Sequence, residues 1–80
     1  MSRFTIFGHQ QCGFCRRAKE ELERRELPFR YVDIHQESIS HSDLSKTVGK
    51  PVYTVPQIFN GHEYVGGYEA LMKYLDQQVA

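Results

Sequence analysis

Apolar residues fall in short strand-like runs that alternate with stripes at helical spacing, and this alternation lays out the elements. Arg3-Phe4-Thr5-Ile6-Phe7 is rich in aromatic and β-branched residues and stops at Gly8, which predicts a first strand. Phe14, Ala18 and Leu22 recur every four residues and predict the inner stripe of a helix from about Gly13 to Glu26, ended by Pro28. Opposite charges at the same spacing, Arg16 with Glu20, Arg17 with Glu21, Lys19 with Glu23 and Glu20 with Arg24, are expected to pair on its outer surface. Phe29 to Ile34 predicts a second strand. Ser40-His41-Ser42-Asp43 then has the form of a capping box, with Asp where Glu or Gln is usual. The helix it opens turns Leu44 and Val48 inward and stops at Gly49.

Val55-Pro56-Gln57-Ile58-Phe59, Asn60-Gly61 and His62-Glu63-Tyr64-Val65 predict a hairpin, since Asn-Gly suits a type I′ turn. Gly66-Gly67 break the strand, and Tyr68, Leu71, Met72 and Leu75 stripe a last amphipathic helix. The order is β-α-β-α-β-β-α. A helix joining two strands implies a right-handed parallel crossover, and the hairpin adds an antiparallel pair. The expected α/β architecture is one mixed four-stranded sheet flanked by three helices, on both faces.

Eighty residues make one domain, spanning 1–80, near the lower size limit for a chain that folds on its own core. An apolar fraction of 40%, with five Phe and five Tyr, is too rich for disorder. Ten basic and ten acidic residues cancel, so nothing points to nucleic acid or an anionic membrane surface. No apolar run approaches the ~18 residues of a membrane span. The polar start Met1-Ser2-Arg3 does not read as a signal peptide, so a cytoplasmic setting is expected.

The two cysteines change the picture most. Cys12-Gly13-Phe14-Cys15 sits directly after the first strand and opens the first helix. A thiol there meets unsatisfied amide N–H groups and the positive end of the helix dipole, both favouring thiolate. A second thiol three residues on lies one turn along the same face, close enough for a small disulfide. In a reducing compartment this spacing favours a catalytic or metal role over a structural staple.

Three motifs in this order, Cys12-Gly13-Phe14-Cys15, Thr54-Val55-Pro56 and Gly66-Gly67-Tyr68, resemble those of the small dithiol glutaredoxins within the thioredoxin fold. Gly49 to Phe59 is especially close to the bacterial pattern, and the likeness spans nearly the whole chain. Thioredoxin proper fits less well, because there is no Trp before the first cysteine or anywhere else.

The resemblance implies a glutathione-dependent thiol–disulfide oxidoreductase. Cys12 would be the nucleophile and Cys15 the resolving thiol. An ordinary thiol with pKa ~8.5 is only ~3% thiolate at pH 7, whereas one lowered to ~5 is nearly all thiolate. Pro56 is expected to be cis, presenting the Val55 backbone to an extended substrate. Thr54, Gly67 and the amides of Tyr68 and Glu69 would line a glutathione site, with the γ-glutamyl carboxylate at the helix N-terminus. Phe14 divides between the core stripe and a flank of glutathione. Glutathione enters as co-substrate, with no permanently bound cofactor or metal. Partners would be protein disulfides, ribonucleotide reductase among them, and the protein would act as a monomer without nucleic acid or membrane.

Four positions depart from the family pattern. His9 stands where many members carry Lys or Arg for the glycyl carboxylate, a role Lys46 or Lys50 could take. Glu69-Ala70 replaces a frequent Thr-Asp or Ser-Asp pair, and Gly13 replaces the common proline. Cys12-Gly13-Phe14 matches the monothiol branch, which has Ser where this chain has Cys15. These keep open recycling by thioredoxin reductase, and ligation of a glutathione-bound [2Fe-2S] cluster by Cys12. A zinc module on Cys12, Cys15, His35 and His41 has longer spacing than common fingers. His35, His41 and His62 share no spacing and read as solvated.

Overall fold

Strand β1 (Phe4–Gly8) pairs parallel with β2 (Phe29–Asp33) on one side and antiparallel with β3 (Gln57–Asn60) on the other. Strand β4 (Glu63–Gly66) closes the sheet antiparallel to β3, giving the order β2-β1-β3-β4. Three helices complete the chain: α1 (Gly13–Arg24), α2 (His41–Val48) and α3 (Tyr68–Gln78). This is the expected α/β arrangement, in a computed structural model that describes residues 3–78. Among these residues no helix is long and apolar enough to cross a membrane.

The alternation of β1 separates the two faces. Phe4 and Ile6 join Ala18 and Leu22 of α1, Ile58 of β3, and Leu71 and Leu75 of α3 in one buried cluster. Thr5 and Phe7 point the other way and share a shallow concavity with Phe59 and Thr47 of α2. Helices therefore cover both faces. The capping box of α2 forms in full, the Ser40 hydroxyl accepting from the Asp43 N–H and the Asp43 carboxylate accepting from the Ser40 N–H. That backbone bond holds the Asp43 carboxyl below its ordinary pKa.

Several boundaries differ from the sequence expectation, each for a local reason. The first strand begins at Phe4 and takes in Gly8, and the second ends at Asp33, whose carboxylate accepts from the N–H groups of His35 and Gln36 in a tight turn. Helix α1 stops at Arg24, before Glu26 and well before Pro28. Glu26 adopts a left-handed φ of 57°. The Leu27 N–H then bonds the Leu22 carbonyl at 3.0 Å, and the Glu26 N–H bonds that of Glu23 at 3.0 Å. This is a Schellman stop with Glu where Gly would be unstrained. Exposed Glu26→Gly is expected to stabilise the fold by about 0.5–1 kcal/mol. The melting temperature would rise by about 2–8 °C; an unchanged or lower value would show the left-handed residue to be unstrained.

The hairpin turn is displaced by one residue. Asn60 pairs with Glu63, so the two-residue loop is Gly61-His62 rather than Asn60-Gly61. Only Gly61, at φ 61°, is left-handed there, the pattern of a type II′ turn rather than type I′. The strands accordingly start at Gln57 and Glu63, later than Val55 and His62.

The expected charge pairs along α1 do not form. Glu21 instead accepts from both Arg24 and Arg25, with the Arg25 bond at 2.6 Å, and these guanidinium groups hold its carboxyl below the usual range. Arg25 also reaches Asp76 of α3 at 3.6 Å. The buried stripe of α1 is Cys15, Ala18 and Leu22, whereas Phe14 is 55% exposed.

Candidate active site

Cys12 is the N-cap residue of α1, with extended backbone (φ −96°, ψ 112°). Its Sγ takes the place that a Ser or Asp oxygen fills in other helices, accepting the Cys15 N–H at 3.1 Å. A sulfur carrying full negative charge accepts that bond better than a thiol, so the cap itself favours thiolate. No acidic side chain occupies the first turn to oppose this.

Cys15 lies on the inward stripe with no exposed surface and is joined to Cys12 in a disulfide, with Cα atoms 5.2 Å apart. Cys12 is partly exposed. A partner sulfur therefore meets Cys12 and not Cys15. The pocket for Cys15 exists because β1 ends in Gly8. A Cβ on Gly8 would stand 2.7 Å from the Cys15 Sγ and 2.7 Å from the Tyr31 hydroxyl oxygen.

The segment before β3 approaches from the other side. The Val55–Pro56 peptide is cis, and the Val55 carbonyl oxygen lies 3.6 Å from the Cys12 Sγ. Thr54, Val55 and Pro56 form one wall of a groove of about 660 Å³, and Gly67, Tyr68 and Glu69 form the opposite wall. The Leu71 N–H bonds the Gly67 carbonyl at 2.9 Å, so Gly67 stands at the N-cap of α3 and the amides of Tyr68, Glu69 and Ala70 have no partner within the helix. Phe14 closes one end, its ring 5.6 Å from that of Tyr68.

The groove thus gathers Phe14, Thr54, Val55, Pro56, Gly67, Tyr68 and Glu69 around one side of the cysteine pair. It does not include His9. That ring stacks on His35 at 4.6 Å and lines a separate concavity with Cys12. His35 is exposed, as expected of a solvated side chain, with one face of its ring against His9. Lys50 comes to the groove rim, its Nζ 5.5 Å from the ring centre of Tyr64.

Sequence reasoning passed over Gln57, Tyr64 and Gly8. Gln57 is the one buried polar side chain among the described residues, 4% exposed; its amide donates to the Thr54 carbonyl at 3.0 Å and accepts from the Tyr64 hydroxyl. It braces the Thr54 wall from behind. A lone Gln in the apolar run Val55 to Phe59 was the available signal. Gly8 gave none beyond a strand end, because its closeness to the Cys15 sulfur depends on how α1 packs on the strand.

The glutaredoxin family model matches residues 4–65, from β1 through the hairpin and across both cysteines. The chain belongs to the glutaredoxin family. Its relatives include the Vibrio cholerae glutaredoxin, 50% identical over 77 residues that cover 86% of this chain and 88% of the relative. Glutaredoxin 1 of Salmonella typhimurium is 52% identical over 68 residues, covering 79% and 78%. The solution structure of reduced Escherichia coli glutaredoxin superposes with a TM-score of 0.81 at 40% identity, covering 96% of each chain. This glutaredoxin has the thioredoxin fold and is a thiol–disulfide oxidoreductase working through Cys12 and Cys15. The zinc arrangement finds no support in its geometry: among the described residues no three or more His, Cys, Asp or Glu side chains are placed to hold a metal ion.

Proposed function

We propose that this glutaredoxin takes glutathione as its reducing co-substrate, reduces protein disulfides through both cysteines, and removes glutathione from mixed disulfides through Cys12 alone. The observation that carries the reading is the groove between Thr54-Val55-Pro56 and the start of α3, which reaches Cys12 through the Val55 carbonyl. Glutathione is a short extended peptide with a carboxylate at each end. The Val55 backbone suits its main chain as an added strand. The free amides of Tyr68, Glu69 and Ala70 suit its γ-glutamyl carboxylate. Thr54, Pro56, Gly67 and Phe14 shape the space between, and Glu69 faces the γ-glutamyl ammonium. The glycyl carboxylate falls to Lys50 at the rim, since His9 faces the other concavity.

In the dithiol cycle the Cys12 thiolate attacks one sulfur of a substrate disulfide. It forms a mixed disulfide and releases the other substrate sulfur as thiolate, which takes up a proton. Cys15 then loses its proton and displaces the second substrate sulfur as thiolate, closing the Cys12–Cys15 disulfide; two electrons have passed to the substrate, and of the two protons its thiols take up one is balanced by Cys15 and the other comes from solvent. Two glutathione molecules restore the dithiol. The first opens the disulfide as a mixed disulfide on Cys12, and the second displaces it as oxidised glutathione. A low-pKa Cys12 serves twice, as thiolate at neutral pH and as leaving group. By analogy with the family, the protein disulfides proposed as its substrates include that of ribonucleotide reductase, served by a monomer in the cytoplasm.

The test compares two recycling systems on one disulfide substrate: glutathione with its reductase, and thioredoxin reductase with NADPH. Turnover is expected to require glutathione. Faster turnover with thioredoxin reductase alone would overturn the glutathione assignment while leaving the dithiol chemistry standing.

A further inference from the structure

Two cations of α1, Arg16 and Lys19, share a concavity with Cys12. Among the described residues the ion pairs of α1 use Glu21, Arg24 and Arg25, and none uses Arg16, Arg17 or Lys19. Arg16 lies beside the first turn of α1, where a cation opposes the helix dipole, so the helix itself gains nothing from it there. Arg16 and Lys19 line a concavity of about 180 Å³ with Cys12, His9, Gln10 and Tyr31. It shares no lining residue with the groove assigned to glutathione. Cys12 therefore stands at the junction of two recesses, one apolar with free amides and one basic.

We propose that this second recess seats an acidic side chain of the disulfide-bearing protein partner, within about three residues of the cysteine that Cys12 attacks. The reach follows from a strand rise of about 3.3 Å per residue and from Cys12 lying in the recess wall. The recess continues through Gln10, Lys19 and Tyr31 into a larger concavity of about 720 Å³, lined also by Arg30, Asp33 and Glu37. There the charges are mixed, so the preference for acid is confined to positions near the attacked sulfur. The chain as a whole is neutral, which makes this local excess of positive charge a selector among partners rather than a general attraction. The inference rests on the substrate docking along Val55 proposed above.

The test uses fully reduced protein in single turnover, without any recycling system. Three oxidised peptides differ only beside the attacked cysteine, carrying two Asp, two Asn or two Lys. At low ionic strength the Asp peptide is expected to react roughly threefold to tenfold faster than the Asn peptide, and the Lys peptide more slowly than either. The advantage should shrink towards unity in 0.5 M salt, on the order of a 4 Å screening length. The double variant Arg16→Gln/Lys19→Gln should lose the Asp-to-Asn ratio, a readout unaffected by any change common to all peptides. Equal rates for all three peptides, or an unchanged ratio in the double variant, overturn the inference alone. Reaction with none of them overturns the substrate docking and this inference together.

Discussion

Cys12→Ser is expected to abolish both disulfide reduction and deglutathionylation, by on the order of 10³-fold or more, while leaving the fold intact. Serine is a favoured N-cap residue, so its hydroxyl can accept the Cys15 N–H that the sulfur accepts at 3.1 Å. What serine cannot supply is an anion at neutral pH. Cys15→Ser should separate the two activities. The buried resolving sulfur is needed only to close the intramolecular disulfide, so reduction of protein disulfides through that route is lost. Release of glutathione from a mixed disulfide needs Cys12 and an incoming glutathione, and should persist. Rates on a glutathionylated peptide and on a protein disulfide, measured side by side with circular dichroism of each variant, check both. Equal loss of the two activities in a folded Cys15→Ser protein would refute the division of roles.

Gly8→Ala should have the next largest effect. The added methyl would meet the Cys15 Sγ at 2.7 Å, the Cys15 Cβ at 2.9 Å and the Tyr31 hydroxyl at 2.7 Å. Neither neighbour withdraws cheaply. Cys15 is fully enclosed, and the Tyr31 hydroxyl donates to the His9 carbonyl at 3.2 Å, bracing the loop that leads to Cys12. The enclosure also raises the Tyr31 phenol above its ordinary pKa. Overpacking of this kind costs about 1–3 kcal/mol, which lowers the melting temperature by about 5–20 °C in a domain of this size. Because the displaced atoms belong to the first turn of α1, the rate of closing the Cys12–Cys15 disulfide should fall as well. A Gly8→Ala protein that melts and turns over like the parent would show that the strand end has more room than its neighbours suggest.

Much of the fold is written locally. Short aromatic and β-branched runs, the Ser40–Asp43 box and the Leu71/Leu75 stripe each act over a few residues, and the corresponding elements and their order appear as expected. What the sequence conceals is decided by packing. Phe14 sits at helical spacing with Ala18 and Leu22, yet Cys15 takes the inward position because Gly8 of the neighbouring strand leaves space for its sulfur. The turn slips from Asn60-Gly61 to Gly61-His62 because the pairing of Asn60 with Glu63 fixes the register. The cysteine pair and the Thr54–Pro56 wall are legible as motifs. The Gln57 brace and the stacking of His9 on His35 depend on residues brought together only in three dimensions.

The charge distribution of α1 repeats that lesson. Spacing alone pairs Arg16, Arg17, Lys19 and Arg24 each with a glutamate four residues away, and such pairs are worth only ~0.2–0.5 kcal/mol. That is too little to dictate rotamers when Arg25 can bond Glu21 and Asp76 together, or when Arg17 can lie 5.6 Å over the Phe14 ring. The cations left near Cys12 are a result of this competition.

Ultraviolet absorption of the reduced protein, followed from acid to alkaline pH, probes the sulfur–amide cap most directly. One of the two sulfurs should gain its charge well below the ~8.5 of a free thiol, and that absorbance step should vanish in Cys12→Ser. If both sulfurs charge only in alkaline solution, the helix start does not activate Cys12 and the catalytic cycle described here is wrong.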